Sequence, residues 1–305
     1  VVTNGGKQAI YEALDILIEP GDEVIIPAPY WVSYPEITRL VGGVPVIVPS
    51  EPSNGYRIKP EDLERKITPR SKILIINSPS NPSGADYGVD ELKAIGEVVK
   101  KHNLFVVSDE VYEKIVYDGF EPVSFAKANP DVADRVITIN AFSKTYSMTG
   151  WRLGYAHASK EIISTMVRHQ GQTTSNVCSI AQYAALAAAT GDHSFLVDLL
   201  KSYERRRKIG LDLIQDSGVI SVASKPEGSF FLFIRIEKVL GRKWKGKTLV
   251  GSQDIATYLL EEAKVALIPG VEFGDDKAIR ISYALSDEEL KSGINSMIAA
   301  LKQLE

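Results

Sequence analysis

Cysteine and histidine are scarce in this sequence of 305 residues, and their scarcity excludes two kinds of site. The single cysteine, Cys178, cannot form a disulfide within the chain, and such usage is typical of a reducing compartment such as the cytoplasm. The histidines show no ligand spacing with acidic residues or with Cys178, so we expect no metal site. They are His102, His157, His169 and His193.

Long apolar runs and a basic excess are missing as well. The alanine-rich run 181–189 contains Gln182 and is shorter than the ~18 residues that a membrane-spanning helix needs. Lysine and arginine total 35 against 39 aspartate and glutamate residues, a formal net charge of −4. Nucleic-acid-binding proteins usually carry a basic excess or a basic stripe. We therefore expect neither a membrane span nor a nucleic-acid interface.

Short apolar runs alternate with amphipathic segments up to about residue 190. The runs are rich in valine and isoleucine and are apolar on both faces, as in strands buried in a parallel sheet. Apolar residues at helical spacing lie between them, for example from Ile10 to Leu17 and from Leu92 to Val99. The alternation predicts an α/β domain with a mostly parallel central sheet flanked by helices. The strand candidates are 24–26, 44–48, 73–76, 104–107 and 136–139.

A smaller α+β domain is predicted for the C-terminal part. A long helix candidate, 193–217, joins the two domains, which we assign to residues 1–195 and 196–305. Its basic run 205–207 is expected to be solvated, because acidic residues share the helix. Ser286 and Glu289 form a capping box that predicts the start of the last helix. The other candidates are strands 230–236 and 278–284 and helices 254–264 and 287–304.

The chain starts in a strand pattern that two glycines follow. VVTN reads as the end of a strand, so we expect further residues upstream of Val1 and an incomplete small domain without them. Gly5 and Gly6 permit close approach of the backbone. A helix predicted to begin beside Lys7 would then offer free N–H groups to a phosphate. This signal by itself also fits an ordinary turn between a strand and a helix.

Aromatic and polar side chains follow the next strands. Trp31 lies in the segment PAPYW, where it could form a flat wall against a ring or simply pack within its loop. Asn81 precedes Pro82 in NSPSNPSGA; the proline favours an extended backbone that aims the amide, although a plain turn would look the same. Asp109 directly follows an apolar strand. A buried carboxylate there needs a cationic partner, unless it caps a helix.

A lysine and an arginine follow the fifth strand, in NAFSKTYSMTGWRLGY. A lone lysine is usually solvated, but Lys144 at a strand's carboxyl end, with Arg152 nearby, suits a lysine that bonds to an aldehyde beside an anion clamp. In an open parallel sheet, ligands bind at the carboxyl ends of the strands, so the five strand ends predict one site. Its acid, amide donor, lysine and anion clamp match the features of pyridoxal 5′-phosphate.

The sequence resembles the fold-type I, pyridoxal-phosphate-dependent class I/II aminotransferases in the segments NGGKQA, PYWVSYPE, NSPSNPSGA, SDEVY and SKTYSMTGWRLGY. It most resembles the bacterial and archaeal aspartate aminotransferases, some of which accept prephenate. The resemblance spans the whole chain and implies a homodimer, with active sites at its interface, that moves an amino group between an L-amino acid such as aspartate or glutamate and a 2-oxo acid such as 2-oxoglutarate. The family's N-terminal arm, glycine loop and interface tyrosine have no counterpart in this sequence.

The resemblance also implies roles for particular residues around the cofactor ring. Lys144 resembles the lysine that bonds to the aldehyde, and Asp109 resembles the carboxylate paired with the ring nitrogen. Tyr112 and Asn81 resemble the pair at the phenolic oxygen, where many relatives have Asn-Pro-Thr-Gly instead of Asn-Pro-Ser-Gly. Trp31 resembles the aromatic residue stacked on the ring, and Trp31 and Asn81 would also contact the substrate.

The resemblance also implies roles for residues at the cofactor phosphate and at the substrate. Gly6, Lys7 through its backbone N–H, Ser143 and Arg152 resemble the residues that surround the cofactor phosphate. Arg280, in AIRISYA, resembles the arginine that grips the substrate α-carboxylate. The residues alone would favour an ordinary surface strand arginine at this position.

One competing motif points to another class of protein. The segment GRKWKGKT, from Gly241 to Thr248, matches the phosphate-binding loop of nucleotide triphosphatases. That loop requires a strand directly before it and a helix that starts at its lysine, whereas here the next helix is predicted near Ser252. We therefore expect an exposed loop of the small domain. Two further alternatives are another reaction of the same cofactor, such as that of a prephenate or aromatic aminotransferase or of a β-lyase, and a non-enzymatic cofactor-sensing domain of a regulator.

Overall fold

The computed structural model describes all 305 residues, and its larger sheet contains seven strands. They are β1 (Val2–Thr3), β2 (Glu23–Ala28), β3 (Val44–Pro49), β4 (Ser71–Asn77), β5 (Phe105–Asp109), β6 (Val136–Ala141) and β7 (Gly154–His157). Their spatial order is β1-β7-β6-β5-β4-β2-β3. Strands β2 to β6 pair in parallel, whereas β7 is antiparallel to both β6 and β1. The prediction of a mostly parallel sheet is confirmed.

Helices cover both faces of this sheet, because its strands direct alternate apolar residues into two separate cores. The first eight helices are α1 (Gly6–Leu17), α2 (Ser33–Leu40), α3 (Pro60–Glu64), α4 (Val89–Lys101), α5 (Phe125–Ala128), α6 (Phe142–Thr145), α7 (Lys160–Thr173) and α8 (Ser179–Thr190). Val24 and Ile26 belong to the core beneath α1, α2 and α7, whereas Ile25 belongs to the core beneath α3, α4 and α5. None of the helices combines the length and the apolar character that crossing a bilayer requires.

The C-terminal part contains a second, antiparallel sheet, and the strands of this part are β8 (Ser221–Val222), β9 (Phe231–Arg235), β10 (Lys243–Trp244), β11 (Lys247–Thr248), β12 (Ile268–Pro269) and β13 (Ala278–Ser282). The order of strands in the second sheet is β12-β13-β9-β8. Its helices are α9 (Phe195–Gln215), α10 (Ser252–Ala263) and α11 (Asp287–Lys302). Tyr112, Ile115 and Tyr117 from the loop after β5 join the apolar core of this sheet. The second sheet therefore packs against the larger one next to the end of β5.

Two details of the C-terminal part bear on the sequence predictions. The segment that matches a phosphate-binding loop forms an antiparallel hairpin of β10 and β11, and α10 begins only at Ser252, so no strand–loop–helix cradle exists there. The basic run 205–207 is solvated only in part, which corrects the prediction. Arg207 is buried because its guanidinium lies 4.3 Å from the Tyr117 ring centre and pairs with Asp118. The capping box is confirmed, since Ser286 accepts a hydrogen bond from the Glu289 amide at 3.2 Å.

Several elements escaped the sequence analysis, among them strand β7 and helices α2, α7 and α8. Strand β7 has only four residues, with buried Gly154 and Ala156 alternating with exposed Tyr155 and His157, so it lacks the valine-rich run that marks a buried strand. Helix α8 buries Ala181 and Ala185, and such small residues give almost no periodic apolar signal. Helix α7 was missed as well.

Candidate active site

A cavity of about 560 Å³ lies at the carboxyl ends of the parallel strands, where the second sheet closes over them. Ligands of open α/β sheets bind at this edge. The structure brings all of the sequence-predicted site residues to the wall of this one cavity. They are Gly6, Lys7, Trp31, Asn81, Asp109, Tyr112, Ser143, Lys144, Arg152 and Arg280.

Asp109 ends strand β5 and is only 6% exposed. Its carboxylate accepts a hydrogen bond of 2.6 Å from the hydroxyl of Tyr34 and a longer one of 3.3 Å from the amide of Val111. Burial raises the pKa of the Asp109 carboxyl, and the hydrogen bond from Tyr34 and the charge of Lys144 partly oppose that rise. No helix begins here, so Asp109 is not a helix cap. A cation placed in the cavity would therefore gain a partner that is buried and otherwise weakly compensated.

Lys144 lies in α6, the short helix that directly follows β6. Its Nζ is 5.4 Å from the ring centre of Phe230 and 5.8 Å from that of Tyr112. Burial lowers the pKa of Lys144, the nearby charges of Arg280 and Arg152 lower it further, and Asp109 opposes them. A lysine in such surroundings has more of the neutral amine that attacks a carbonyl group.

The start of α1 and Arg152 form one end of the cavity. Gly5 has a φ of 85°, and a Cβ at this position would lie 2.6 Å from Nη2 of Arg152, so the guanidinium packs directly on the glycine backbone. Gly154 lets β7 approach equally closely, because its Cβ would lie 2.6 Å from the backbone nitrogen of Gly6. The first amides of a helix have no partners within the helix, and with an arginine beside them they form an anion site.

Arg280 enters the cavity from β13 of the second sheet. Its Nη1 donates a hydrogen bond of 2.8 Å to Oδ1 of Asn81, and its guanidinium lies 4.3 Å from the Phe231 ring centre and 4.9 Å from that of Phe273. Its Nε is buried without a hydrogen-bond partner, and burial lowers the pKa of the group. Arg280 is therefore not the surface arginine that the residues alone favoured. Only Nη1 of the guanidinium donates a hydrogen bond within the protein, which leaves Nη2 as a donor for a carboxylate in the cavity.

Two residues of the site were missed by the sequence analysis. Tyr34 donates to Asp109, and Asn77 bridges two strand ends. The Asn77 amide donates to the Asp109 carbonyl at 2.9 Å, and its Oδ1 accepts the Asn81 backbone N–H at 2.8 Å. Both residues lie within the segments that carry the resemblance, but their own spacing points to no particular chemistry. The sequence signal for Tyr34 was its position three residues after Trp31, which is a helical spacing. In the structure Trp31 precedes α2 and packs edge-on against Tyr34, with 5.4 Å between the ring centres.

The fold and the site together define a class: an α/β protein whose parallel sheet presents a lysine, a buried carboxylate and an anion cradle at one edge, with an arginine added from a second sheet. Comparison with known proteins supplies the family. Residues 1–297 match the family described as aminotransferase class I and II, and the chain belongs to that family.

Individual relatives agree with this assignment. The chain is 46% identical over 306 residues to a probable aspartate/prephenate aminotransferase of Rickettsia bellii, covering 100% of this chain and 76% of that protein. It is 45% identical over 298 residues to an aspartate aminotransferase of Geobacillus stearothermophilus, covering 96% of this chain and 74% of that protein. Its structure matches that of the aspartate aminotransferase from Rhizobium meliloti with a TM-score of 0.96 at 40% identity, covering 100% of this chain and 76% of the other. The predicted fold class is confirmed.

Proposed function

We propose that this protein is a pyridoxal-phosphate-dependent aminotransferase that moves the amino group of aspartate or glutamate to a 2-oxo acid such as 2-oxoglutarate. The observation that carries the proposal is the meeting of Lys144, Asp109, Arg152 and Arg280 in one cavity. The names of the relatives from Rickettsia bellii and Geobacillus stearothermophilus support aspartate as a substrate.

The residues present fit the cofactor. A protonated ring nitrogen would give the buried Asp109 its missing cation, and Lys144 would meet the aldehyde. The start of α1 beside Arg152 would hold the phosphate, with Ser143 in the same wall. Trp31 would cover one face of the ring, while Tyr112 and Asn81 would donate to its phenolic oxygen. Asn81 can do so because Arg280 occupies its Oδ1 and leaves its Nδ2 donor free.

The chain's own residues then divide the work of transamination. When bound, pyridoxal 5′-phosphate would supply an aldehyde that bonds to the amino group and a ring that takes up electrons when the Cα proton leaves. Arg280 holds the substrate α-carboxylate, which fixes the Cα–H bond in one orientation. Lys144, as a neutral amine, would accept the Cα proton of the substrate and, as the ammonium so formed, would return a proton later in the cycle. Asp109 would stabilise the protonated form of the ring nitrogen.

A steric substitution tests the proposed phosphate end. Gly5→Ala places a Cβ 2.6 Å from Arg152, whereas at Gly21, with a similar φ of 93°, a Cβ meets nothing within 4 Å. Both variants carry about 1–2 kcal/mol of backbone strain, but only the first displaces the guanidinium. We expect Gly5→Ala to raise the Kd for pyridoxal 5′-phosphate about tenfold over Gly21→Ala in an absorbance titration. Equal Kd values in the two variants would contradict the role of Arg152.

Lys7 is the cation that could distinguish acidic substrates from neutral ones. The cavity is lined by four basic residues, and the roles proposed above use the side chains of Lys144, Arg152 and Arg280. The ammonium group of Lys7 lies on the exposed side of the cavity, 5.0 Å from the ring centre of Trp31, where a substrate carboxylate could reach it.

The expected result follows from that placement. Lys7→Gln should lower kcat/KM for aspartate about 5- to 10-fold and change that for alanine less than about twofold, because a charge-assisted contact is lost only for the acidic donor. Lys7→Arg, which keeps the charge, is the matched control in the same steady-state assay. A loss of similar size for both donors would remove Lys7 from substrate selection.

A second substrate, prephenate, is favoured by the name of the Rickettsia bellii relative. A panel of donors and oxo acids separates the possibilities. Formation of oxaloacetate from aspartate supports the main proposal, and amination of prephenate adds the second activity. Release of pyruvate, ammonia and a thiol from a cysteine thioether, without oxaloacetate from aspartate, would indicate a β-lyase instead.

The proposal includes a homodimer, because apolar side chains are exposed beside the phosphate end of the cavity. Helix α8 packs on Leu153 and Phe142 through Ala181 and Ala185, so its outer face borders the segment that contains Arg152. Light scattering of the purified protein tests the dimer. The exposed side chains are Trp151, Tyr155, Ile180, Tyr183 and Leu186.

The division into domains 1–195 and 196–305 and a cytoplasmic location also remain part of this proposal. The second sheet supports the domain division, since all of its strands follow residue 196. The single cysteine, which is exposed and free, supports the cytoplasmic location.

A further inference from the structure

The hydrogen bond between Tyr34 and Asp109 is the shortest contact that the Asp109 carboxylate makes. It spans 2.6 Å between Tyr34 Oη and Asp109 Oδ2, and the other donor, the Val111 amide, is 3.3 Å from Oδ1. Tyr34 and Asp109 are 2% and 6% exposed, so water competes little for either group. Hydrogen bonds to an ionised group in such surroundings are about twice as strong as neutral ones.

Tyr34 is held in place from several sides. Its ring meets the Trp31 ring edge-on, with an angle of 83° between the planes, and its backbone carbonyl accepts a hydrogen bond from the Thr38 hydroxyl. Burial and the neighbouring Asp109 carboxylate raise the pKa of the Tyr34 phenol well above its usual value of 10, so the hydroxyl remains a donor at every physiological pH. One helix, α2, thus fixes both the aromatic wall and the donor to Asp109.

The ionisation of Asp109 depends on this donor. Burial raises the pKa of the carboxyl, and the Tyr34 hydrogen bond is the largest influence that lowers it. A protonated Asp109 could not stabilise a protonated ring nitrogen, because it would carry no charge to offset the cation. Without the phenol, the same burial would favour the neutral acid.

We propose that Tyr34 is a positioning residue for the transamination: its hydroxyl keeps Asp109 ionised and oriented for the ring nitrogen of the cofactor. The inference rests on the proposed function. It assigns to α2 a second contribution to the site, next to the aromatic wall of Trp31. The Tyr34 hydroxyl acts through Asp109.

Binding of pyridoxamine 5′-phosphate tests the inference without turnover. This compound lacks the aldehyde, so its affinity, followed by protein fluorescence, reports on the non-covalent contacts alone. Tyr34→Phe should raise the Kd about tenfold or more at neutral pH, because it removes a hydrogen bond to a charged group. Tyr258→Phe is the matched control: Tyr258 is also buried, but it donates to the Ala300 carbonyl, away from the cavity, and the Kd should not change.

A double-mutant cycle separates this role from a merely structural one. In an Asp109→Asn background, Tyr34→Phe should change the Kd less than about twofold, since there is no carboxylate left to ionise. The pH profile gives a second readout. Affinity is lost as the pH falls through the Asp109 pKa of the free protein, and Tyr34→Phe raises that pKa, so the loss should begin at a higher pH than in the unmodified protein.

The outcomes distinguish the two proposals. Failure of the unmodified protein to bind pyridoxamine 5′-phosphate would overturn the proposed function. Binding that is unchanged by Tyr34→Phe, or weakened equally in both backgrounds, would overturn the role of Tyr34 and leave the proposed function standing. If Tyr34→Phe does not fold, a fluorinated tyrosine at position 34 keeps the shape with a more acidic hydroxyl. At the pH where half of the unmodified protein's affinity is lost, this substitution should tighten binding, and unchanged or weaker binding would overturn the inference.

Discussion

Lys144→Ala should lower kcat for transamination by about four orders of magnitude, whichever amino donor is used. The side chain is the only amine in the buried part of the cavity, and burial with two neighbouring arginines lowers its pKa. Alanine at this position removes both the group that bonds to the aldehyde and the base that moves the Cα proton. Initial rates with aspartate and 2-oxoglutarate measure the loss.

The cofactor should still bind to this variant, since Asp109, Arg152 and the start of α1 do not depend on Lys144 for their positions. The purified unmodified protein should show a visible absorbance band with pyridoxal 5′-phosphate, and borohydride should attach the cofactor permanently to the peptide that contains Lys144. Mass spectrometry locates that attachment. Normal turnover in Lys144→Ala, or attachment to another lysine, would show that the catalytic amine lies elsewhere.

Arg280→Ala should raise KM for every amino-acid substrate, roughly 100-fold or more, with a smaller effect on kcat. The reason is that the α-carboxylate is common to all of them, and a buried anion without its arginine remains unpaired. Arg280→Lys is the control, because it keeps the charge and loses the planar fork, so it should recover only part of the affinity. A rise in KM confined to acidic donors would instead show that Arg280 binds the side-chain carboxylate of the substrate.

The same variant has a second measurable consequence. The charge of Arg280 is, after burial, the largest influence that lowers the pKa of Lys144. Removal of the charge therefore raises that pKa, and at a given pH less of the lysine is the neutral, reactive amine. The addition of pyridoxal 5′-phosphate to Lys144 should be slower in Arg280→Ala, and its pH profile should move to higher pH. A profile that does not move would show that the two groups are further apart in solution.

Much of the site could be predicted because its residues are carried by strand ends. Lys7 and Lys144 follow strands of one sheet, Asp109 is the last residue of another of its strands, and the carboxyl ends of parallel strands meet at one edge. Local patterns that are weak one by one therefore converge on the same place in space. The fold class followed for a similar reason, since two-sided apolar runs indicate strands that are covered on both faces.

Other parts of the molecule depend on contacts between elements far apart in the chain. Strand β7 is made of small residues, and only its pairing with β1 and β6 gives it a place in the sheet. Arg207 belongs to a charged helix face by pattern, yet packing against the Tyr117 ring buries it. The segment whose sequence matches a phosphate-binding loop forms the antiparallel hairpin of β10 and β11 instead. For β7 and Arg207 the deciding neighbour lies far away in the chain, whereas the hairpin is a local pairing in which Lys243 faces Thr248.

The sequence by itself determined the class of fold, the family resemblance and the set of residues gathered at the edge of the parallel sheet, because local periodicity and chain direction specify them. Only the tertiary structure decided how these residues act on one another. Asn81 meets Arg280 across two sheets, and Tyr34 of α2 meets Asp109 of β5 in a space closed to water. The physical reason is that the pKa of a buried group depends on burial and on its nearest charges and donors, and these are properties of packing rather than of sequence order.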